Sequence, residues 1–227
     1  MNEIDLIIDY PSRIAGMLLA DEIDMGLVPV AVIPEMKEYH INGDFCIGSQ
    51  GPVGSVCLFS ETPMEKIERV LLDYQSRTSV ELARILLKDY WKITPELVDG
   101  GIDFRDHIGG TTAGVVIGDR ALEQRRLSPF IYDLGEAWRN LTGLPFVFAA
   151  WISNKELDPV FVRKFDAANR AGLQQIDKVV AENPYAVFDL HAYFTRYLDY
   201  SLDDLKRKGL TKFLHYLRVQ QQVGWDF

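Results

Sequence analysis

The densest run of potentially reactive side chains is Asp73-Tyr74-Gln75-Ser76-Arg77-Thr78-Ser79. Three hydroxyls and a guanidinium stand just ahead of a helix-periodic apolar run, Val80, Leu82, Ala83, Leu86 and Leu87. A helix starting there presents unpaired backbone N–H groups and a partial positive charge, the ingredients of an anion site. Arg77 could add a bidentate grip on a carboxylate. The same residues also read as a plain cap, with Ser76 capping and Arg77 solvated, because a cap needs only one hydroxyl. Two other strand ends carry the same pair of readings. Gly48-Ser49-Gln50-Gly51 is either a turn offering N–H groups to a ligand or a simple connection. Gly118-Asp119 closes an apolar run, and Asp119 is either a ligand contact or the N-cap of a helix. Pro11-Ser12 has the same strand-end placing.

Other chemistries find no support. His40, His107, His191 and His215 are scattered without metal-ligand spacing, so no metal is expected. Only His107, in Asp106-His107-Ile108-Gly109-Gly110, sits in a loop that could border a cleft. Cys46 and Cys57 lie in or beside β-like runs and read as buried thiols. There is no P-loop, no strand-borne G-x-G-x-x-G and no G-x-S-x-G elbow. A formal charge of −9 argues against nucleic acid or an anionic membrane as partner, although a pocket sets its own local field. No apolar run reaches the roughly 18 residues of a membrane span, and the acidic start Met1-Asn2-Glu3-Ile4-Asp5 does not read as a signal peptide.

The elements that must position these residues alternate. Residues 3–10 read as a short buried strand centred on Leu6-Ile7-Ile8, followed by a helix from Pro11-Ser12 and a second strand at 24–30. That is a βαβ unit, which would set the two strands parallel. Further strands are expected at 45–47, 55–60, 69–73, 113–117 and 144–151, and helices after Ser79 and near Gly135. From Asp158-Pro159 the pattern is helical, with Phe161, Phe165, Ala168, Gly172, Ile176 and Val179 on one face up to Asn183-Pro184. The last helix carries Leu210, Phe213, Leu214 and Leu217. With 227 residues, the chain suits two lobes. The expected division is an outer lobe of 1–73 with 149–227 and an inserted lobe of 74–148, with a ligand cleft between them.

Several segments, in this order, resemble the chorismate dehydratase family of the futalosine route to menaquinone. They are Glu22-Ile23-Asp24-Met25-Gly26-Leu27-Val28-Pro29, then Gly54-Ser55-Val56-Cys57-Leu58-Phe59-Ser60, then Leu72-Asp73 with Ser76-Arg77-Thr78-Ser79. Ile117-Gly118-Asp119 with Ala121-Leu122 follows, and then Tyr132-Asp133-Leu134-Gly135 through Trp138 to Gly143-Leu144-Pro145-Phe146-Val147-Phe148. The resemblance implies an α/β fold of the type II periplasmic-binding-protein kind, a cytoplasmic enzyme and no metal or organic cofactor. It implies chorismate as the small-molecule partner, and loss of water from it to give 3-[(1-carboxyvinyl)oxy]benzoate. The substrate would meet Ser49, Gln50, Ser76, Arg77, Thr78, Ser79, Gly118 and Asp119; no residue is singled out as acid or base, and the oligomeric state is left open.

Family members begin with a strand carrying a Ser-Tyr-Leu-Asn type motif. Residues 1–9 match the strand after it, so the natural protein is expected to extend roughly 20 or more residues ahead of Met1, one strand and its connection. The 227-residue form is expected to express poorly, or to fold only by borrowing a strand from a neighbour, and to be inactive. Two other functions fit the same layout: a non-catalytic binding protein for small carboxylates, and the related dihydroxynaphthoate-forming enzyme of the same pathway.

Overall fold

The computed structural model describes residues 4–223, with side chains through 219. Proline pre-sets the first turn of α1 (Pro11–Leu19), which buries Ile14, Ala15 and Leu18. β1 (Met25–Pro29) ends at a proline and passes into a 3-10 turn over Val30–Glu35. β2 (His40–Ser49) is longer than the apolar run 45–47 suggests, because its edge positions are polar. Then come β3 (Val56–Ser60), β4 (Arg69–Leu72), α2 (Thr78–Leu86), β5 (Glu96–Asp99) and β6 (Thr112–Ile117). They are followed by α3 (Asp119–Gln124), β7 (Phe130–Asp133), α4 (Leu134–Thr142) and β8 (Phe146–Ser153). The tail holds α5 (Pro159–Leu173), α6 (Ile176–Glu182), α7 (Leu190–Ala192), β9 (Asp199–Ser201) and α8 (Asp204–Val223).

Two sheets form, ordered β1-β8-β2-β9 and β5-β4-β6-β3-β7. In the first, β8 runs antiparallel to both β1 and β2, pairing Pro29 with Ala149 and Ser49 with Phe146. The ends of β1 and β2 therefore share one edge. In the second sheet β4 is parallel to β5 and β6, while β3 is antiparallel to β6 and β7. The ends of β4, β6 and β7 and the start of β3 thus meet on one edge, from which α2, α3 and α4 depart. One apolar cluster runs through both sheets. At its centre the fully buried Trp138 meets Phe146 and Phe213 edge-on, with centroids 5.2 and 6.2 Å away. α8 buries Leu210, Phe213, Leu214 and Leu217, as its periodicity predicts. Each such burial contributes about 1.5–3 kcal/mol.

Three sequence expectations need correction. Residues 4–10 form no strand: they pair with neither sheet, and Leu6 and Ile8 stay 73% and 86% exposed. Leu6-Ile7-Ile8 suits a strand covered on both faces, and no neighbouring strand covers it here. The sheets also divide differently from boundaries at 73/74 and 148/149. β3 and β4 already belong to the second sheet and β8 to the first, so the chain passes between sheets within 50–55 and 134–145. The turn Gly51-Pro52 and helix α4, not long strands, make the passage. Finally, the expected single helix to Val179 breaks at Gln174–Gln175 into α5 and α6, and α5 has no fully buried residue.

Candidate functional site

The two edges face one another. On the second sheet, Asp73 ends β4 with its side chain fully buried. Its carboxylate accepts from Gln75 N (2.9 Å), Ile117 N (3.2 Å) and Arg120 Nη2 (2.8 Å to each oxygen). Arg120 also donates to Gln75 Oε1 at 2.9 Å. One buried carboxylate thereby ties the ends of β4 and β6 to the first turn of α3.

α2 starts beside this pair. Arg77 occupies the cap position of α2, and Ser76, one residue ahead of it, accepts through Oγ from Ser79 N at 3.2 Å. Thr78 and Ser79 are buried. Thr78 Oγ1 accepts from Ala31 N at 3.2 Å, reaching the 3-10 turn that follows β1 of the first sheet. The start of α2 thus faces the opposite sheet rather than bulk solvent. Arg77 is not simply solvated: Nη1 lies 3.1 and 3.2 Å from the two carboxylate oxygens of Glu35, on that same turn, at the surface.

At the β3 and β7 end, Asp133 caps α4 by accepting from Gly135 N (2.9 Å) and Glu136 N (3.1 Å). It also accepts from Val53 N at 3.0 Å and Gly54 N at 2.7 Å, so both passages between sheets hang on one side chain. Ser49 is buried with Oγ donating to Gly51 O at 2.9 Å. Gly135 must be glycine here, since a Cβ would stand 2.5 Å from Gly51 O and 2.8 Å from Ser49 Oγ. Gln50 is exposed, and its Nε2 donates to Asp199 Oδ2 at 2.7 Å. Gly118 takes φ +65° and donates its N–H to Ser55 O at 2.8 Å. It occupies the cap position, so Asp119 is the exposed first helical residue and not the N-cap.

The tail closes one side. Tyr193 Oη and Ser55 Oγ are 2.7 Å apart, and burial pushes the Tyr193 phenol above its ordinary range despite that hydrogen bond. Arg126 donates to Ala186 O and Val187 O, and the Tyr197 ring lies against Gly54. Sequence reasoning missed Arg120, Tyr193, Asp199 and the anchoring role of Asp133. Only Asp133 carried a local signal, an Asx residue directly ahead of a helix. His107 is exposed on the 3-10 turn Phe104–His107, where Nδ1 lies 3.2 Å from Asp103 O.

The three helix starts differ in electrostatics. That of α4 is already met by the Asp133 carboxylate, and that of the short α3 carries Asp119. The start of α2 meets the neutral Ser76 hydroxyl, its first-turn Glu81 is paired with Arg84 at 3.5 Å, and the Asp73 carboxylate beside it is matched by Arg120. Of the three, only the start of α2 has its N–H groups met by a hydroxyl rather than by a capping carboxylate or an acidic residue at the first helical position. Among the described residues no group of three or more His, Cys, Asp and Glu is placed to hold a metal ion. The described cavities lie elsewhere, about 430 Å³ between the first sheet and α5 and about 650 Å³ along α8, and neither is lined by an expected site residue.

A model of the menaquinone biosynthesis family matches residues 1–219. A chorismate dehydratase of Thermus thermophilus is 28% identical over 89% of this chain and 83% of its own. Among solved structures, a protein of Archaeoglobus fulgidus superposes with TM-score 0.67 at 13% identity, covering 96% of this chain and 86% of its own. An ABC transporter protein of Parabacteroides distasonis gives 0.65 at 16%, covering 95% and 81%. The periplasmic aliphatic sulphonate binding protein of Escherichia coli gives 0.55 at 14%, covering 94% and 74%. The two sheets are thus the lobes of a periplasmic-binding-protein-like fold with its cleft between them, and the chain belongs to the menaquinone biosynthesis family.

Proposed function

We propose that this protein is a chorismate dehydratase, a hydro-lyase that removes water from chorismate to give 3-[(1-carboxyvinyl)oxy]benzoate. The observation that carries the reading is the start of α2: a helix start without a capping carboxylate, with Thr78 and Ser79 buried and Thr78 bonded to the opposite edge. The curated dehydratase relative supports the same substrate. A substrate carboxylate sits at Ser76, Thr78 and Ser79, with Arg77 exchanging Glu35 for it. Ser49, Gln50, Gly118 and Asp119 border the rest of the ligand.

The chemistry suits such a site. The ring proton that leaves is vinylogous to the ring carboxylate, so its removal spreads negative charge onto that group. Expulsion of the hydroxyl then yields an aromatic ring, and aromatisation supplies the driving force. The protein's part is fixed positive potential and exclusion of water, the first from α2 and the second from lobe closure. No metal or organic cofactor is needed, and the enzyme works in the cytoplasm.

The test is incubation of purified protein with chorismate and chromatography with mass detection. A product lighter by one water that co-elutes with 3-[(1-carboxyvinyl)oxy]benzoate is expected. Tight binding of chorismate without turnover would instead favour a solute-binding role, in keeping with the sulphonate-binding relative of the fold. Inertness toward chorismate with cleavage of the cyclic futalosine intermediate would favour the dihydroxynaphthoate-forming enzyme.

A further inference from the structure

Lys206 on α8 is 0% exposed, the one lysine buried outright among the described residues. Its stem lies against Gly48 at the end of β2, where a Cβ would meet Lys206 Cδ at 3.2 Å. Nζ lies 2.8 Å from Asp199 Oδ2 and 3.6 Å from Asp203 Oδ2. Nζ makes no hydrogen bond and acts on the two carboxylates as a charge. Burying an ammonium costs several kcal/mol unless it is paired, and packing alone asks only for an apolar side chain of this length. The cation has its effect on Asp199. That carboxylate receives Lys206, Gln50 Nε2 at 2.7 Å and Ser201 N at 3.1 Å. Burial pushes its pKa up, but the Lys206 and Gln50 contacts outweigh burial and hold it below the ordinary range.

An ionised carboxylate can only accept, and with Lys206 holding Asp199 in place at 2.8 Å this settles which way the Gln50 amide points. The NH₂ must face Asp199 and the carbonyl oxygen must face away. No donor among the described residues reaches that oxygen, and Gln50 is exposed. We propose that Lys206 is a positioning residue: through Asp199 it locks the Gln50 carboxamide with its oxygen outward, so that this corner of the cleft accepts a hydrogen bond from a ligand hydroxyl and rejects a carboxylate. The identity of the ligand rests on the dehydratase reading above; the lock does not. For chorismate, the two carboxylates are directed to the α2 side and the ring hydroxyl toward Gln50.

The lock is tested in the free protein by nuclear magnetic resonance of ¹⁵N-labelled material, with the Gln50 carboxamide assigned from its loss in Gln50→Ala. A pair of well-separated, slowly exchanging protons is expected. In Lys206→Met, which keeps the stem, and in Asp199→Ala, which removes the acceptor, the pair should move to the solvent-averaged position while the fold persists. Asp199→Ala serves alone if the buried substitution fails to fold. With chorismate, Lys206→Met and Gln50→Ala should each raise KM about tenfold with a smaller change in kcat, and the double variant should be no worse than Gln50→Ala. Purely structural damage would add instead. An unmoved carboxamide in either folded variant, or additive losses, overturns the proposal. Failure of the wild type to turn over chorismate sinks the dehydratase reading, and the carboxamide spectra still decide the lock.

Discussion

The two edges that face each other across the cleft are built differently. On the second sheet, carboxylates hold backbone. Asp73 and Asp133 together accept from six backbone N–H groups, those of Gln75 and Ile117 and those of Val53, Gly54, Gly135 and Glu136. On the first sheet the contacts run mainly between side chains, in the series Lys206, Asp199, Gln50, with Ser201 N the one backbone donor to Asp199. The difference teaches where rigidity is needed. Backbone-bound carboxylates fix where helix starts stand, whereas a side-chain relay fixes only how one amide is turned.

The largest contrast should be in stability. Arg120→Met leaves the fully buried Asp73 carboxylate without its counter-charge and should cost about 3 kcal/mol in urea unfolding. Lys206→Met on the first sheet removes the cation itself and should cost less than about 1 kcal/mol, because Asp199 keeps contact with water. Equal losses would erase the contrast. Next, Asp133→Ala strips a helix cap and two further backbone bonds, and should cost about 2 kcal/mol, with Asp133→Asn recovering part of it. Third, Arg77→Ala removes a surface ion pair, so stability should hold within about 0.5 kcal/mol while chorismate affinity falls about tenfold. Unchanged affinity in calorimetric titration would reduce Arg77 to a partner of Glu35.

Finer probes sharpen the same contrast. Asp199 titrates below its ordinary 3.8, so its pairing supports the folded state fully above that pH and is lost as acid takes the pH down through the folded value. The wild-type Gln50 amide signal should therefore persist at pH 5 and weaken only in stronger acid. The smallest effect concerns the thiols. Burial pushes Cys46 to about 12 and Cys57 well above 9.0, so neither should alkylate readily at pH 8. Cys46 borders the cavity under α5 and should label first on mild destabilisation, reporting opening of the first sheet before the second.

The helix start after residues 73–79 was legible, because it announces itself locally through hydroxyls followed by apolar periodicity. Placing it against Ala31 was not, since that contact spans 47 positions. Asp119 looked like a cap for the same local reason, and Gly118 displaced it by adopting φ +65°. Arg120 reads as an ordinary helix residue until Asp73 is seen beneath it. Residues 4–10 have the composition of a buried strand, but strand formation depends on a neighbour that composition does not specify.

By itself, then, the sequence determined the kind of molecule: two α/β lobes, the hydroxyl-rich start of α2, the apolar stripe of α8 and, through ordered motifs, the family. These follow from periodicity and capping, whose causes lie within a few residues of one another. Only the tertiary structure decided that β3 and β4 join the second sheet, that one aspartate anchors both passages between sheets, and that a lysine amid the charged pattern of α8 lies fully buried behind Gln50. Strand partners and buried charge pairs are chosen by what distant segments leave unsatisfied, and that is settled only when the whole chain has packed.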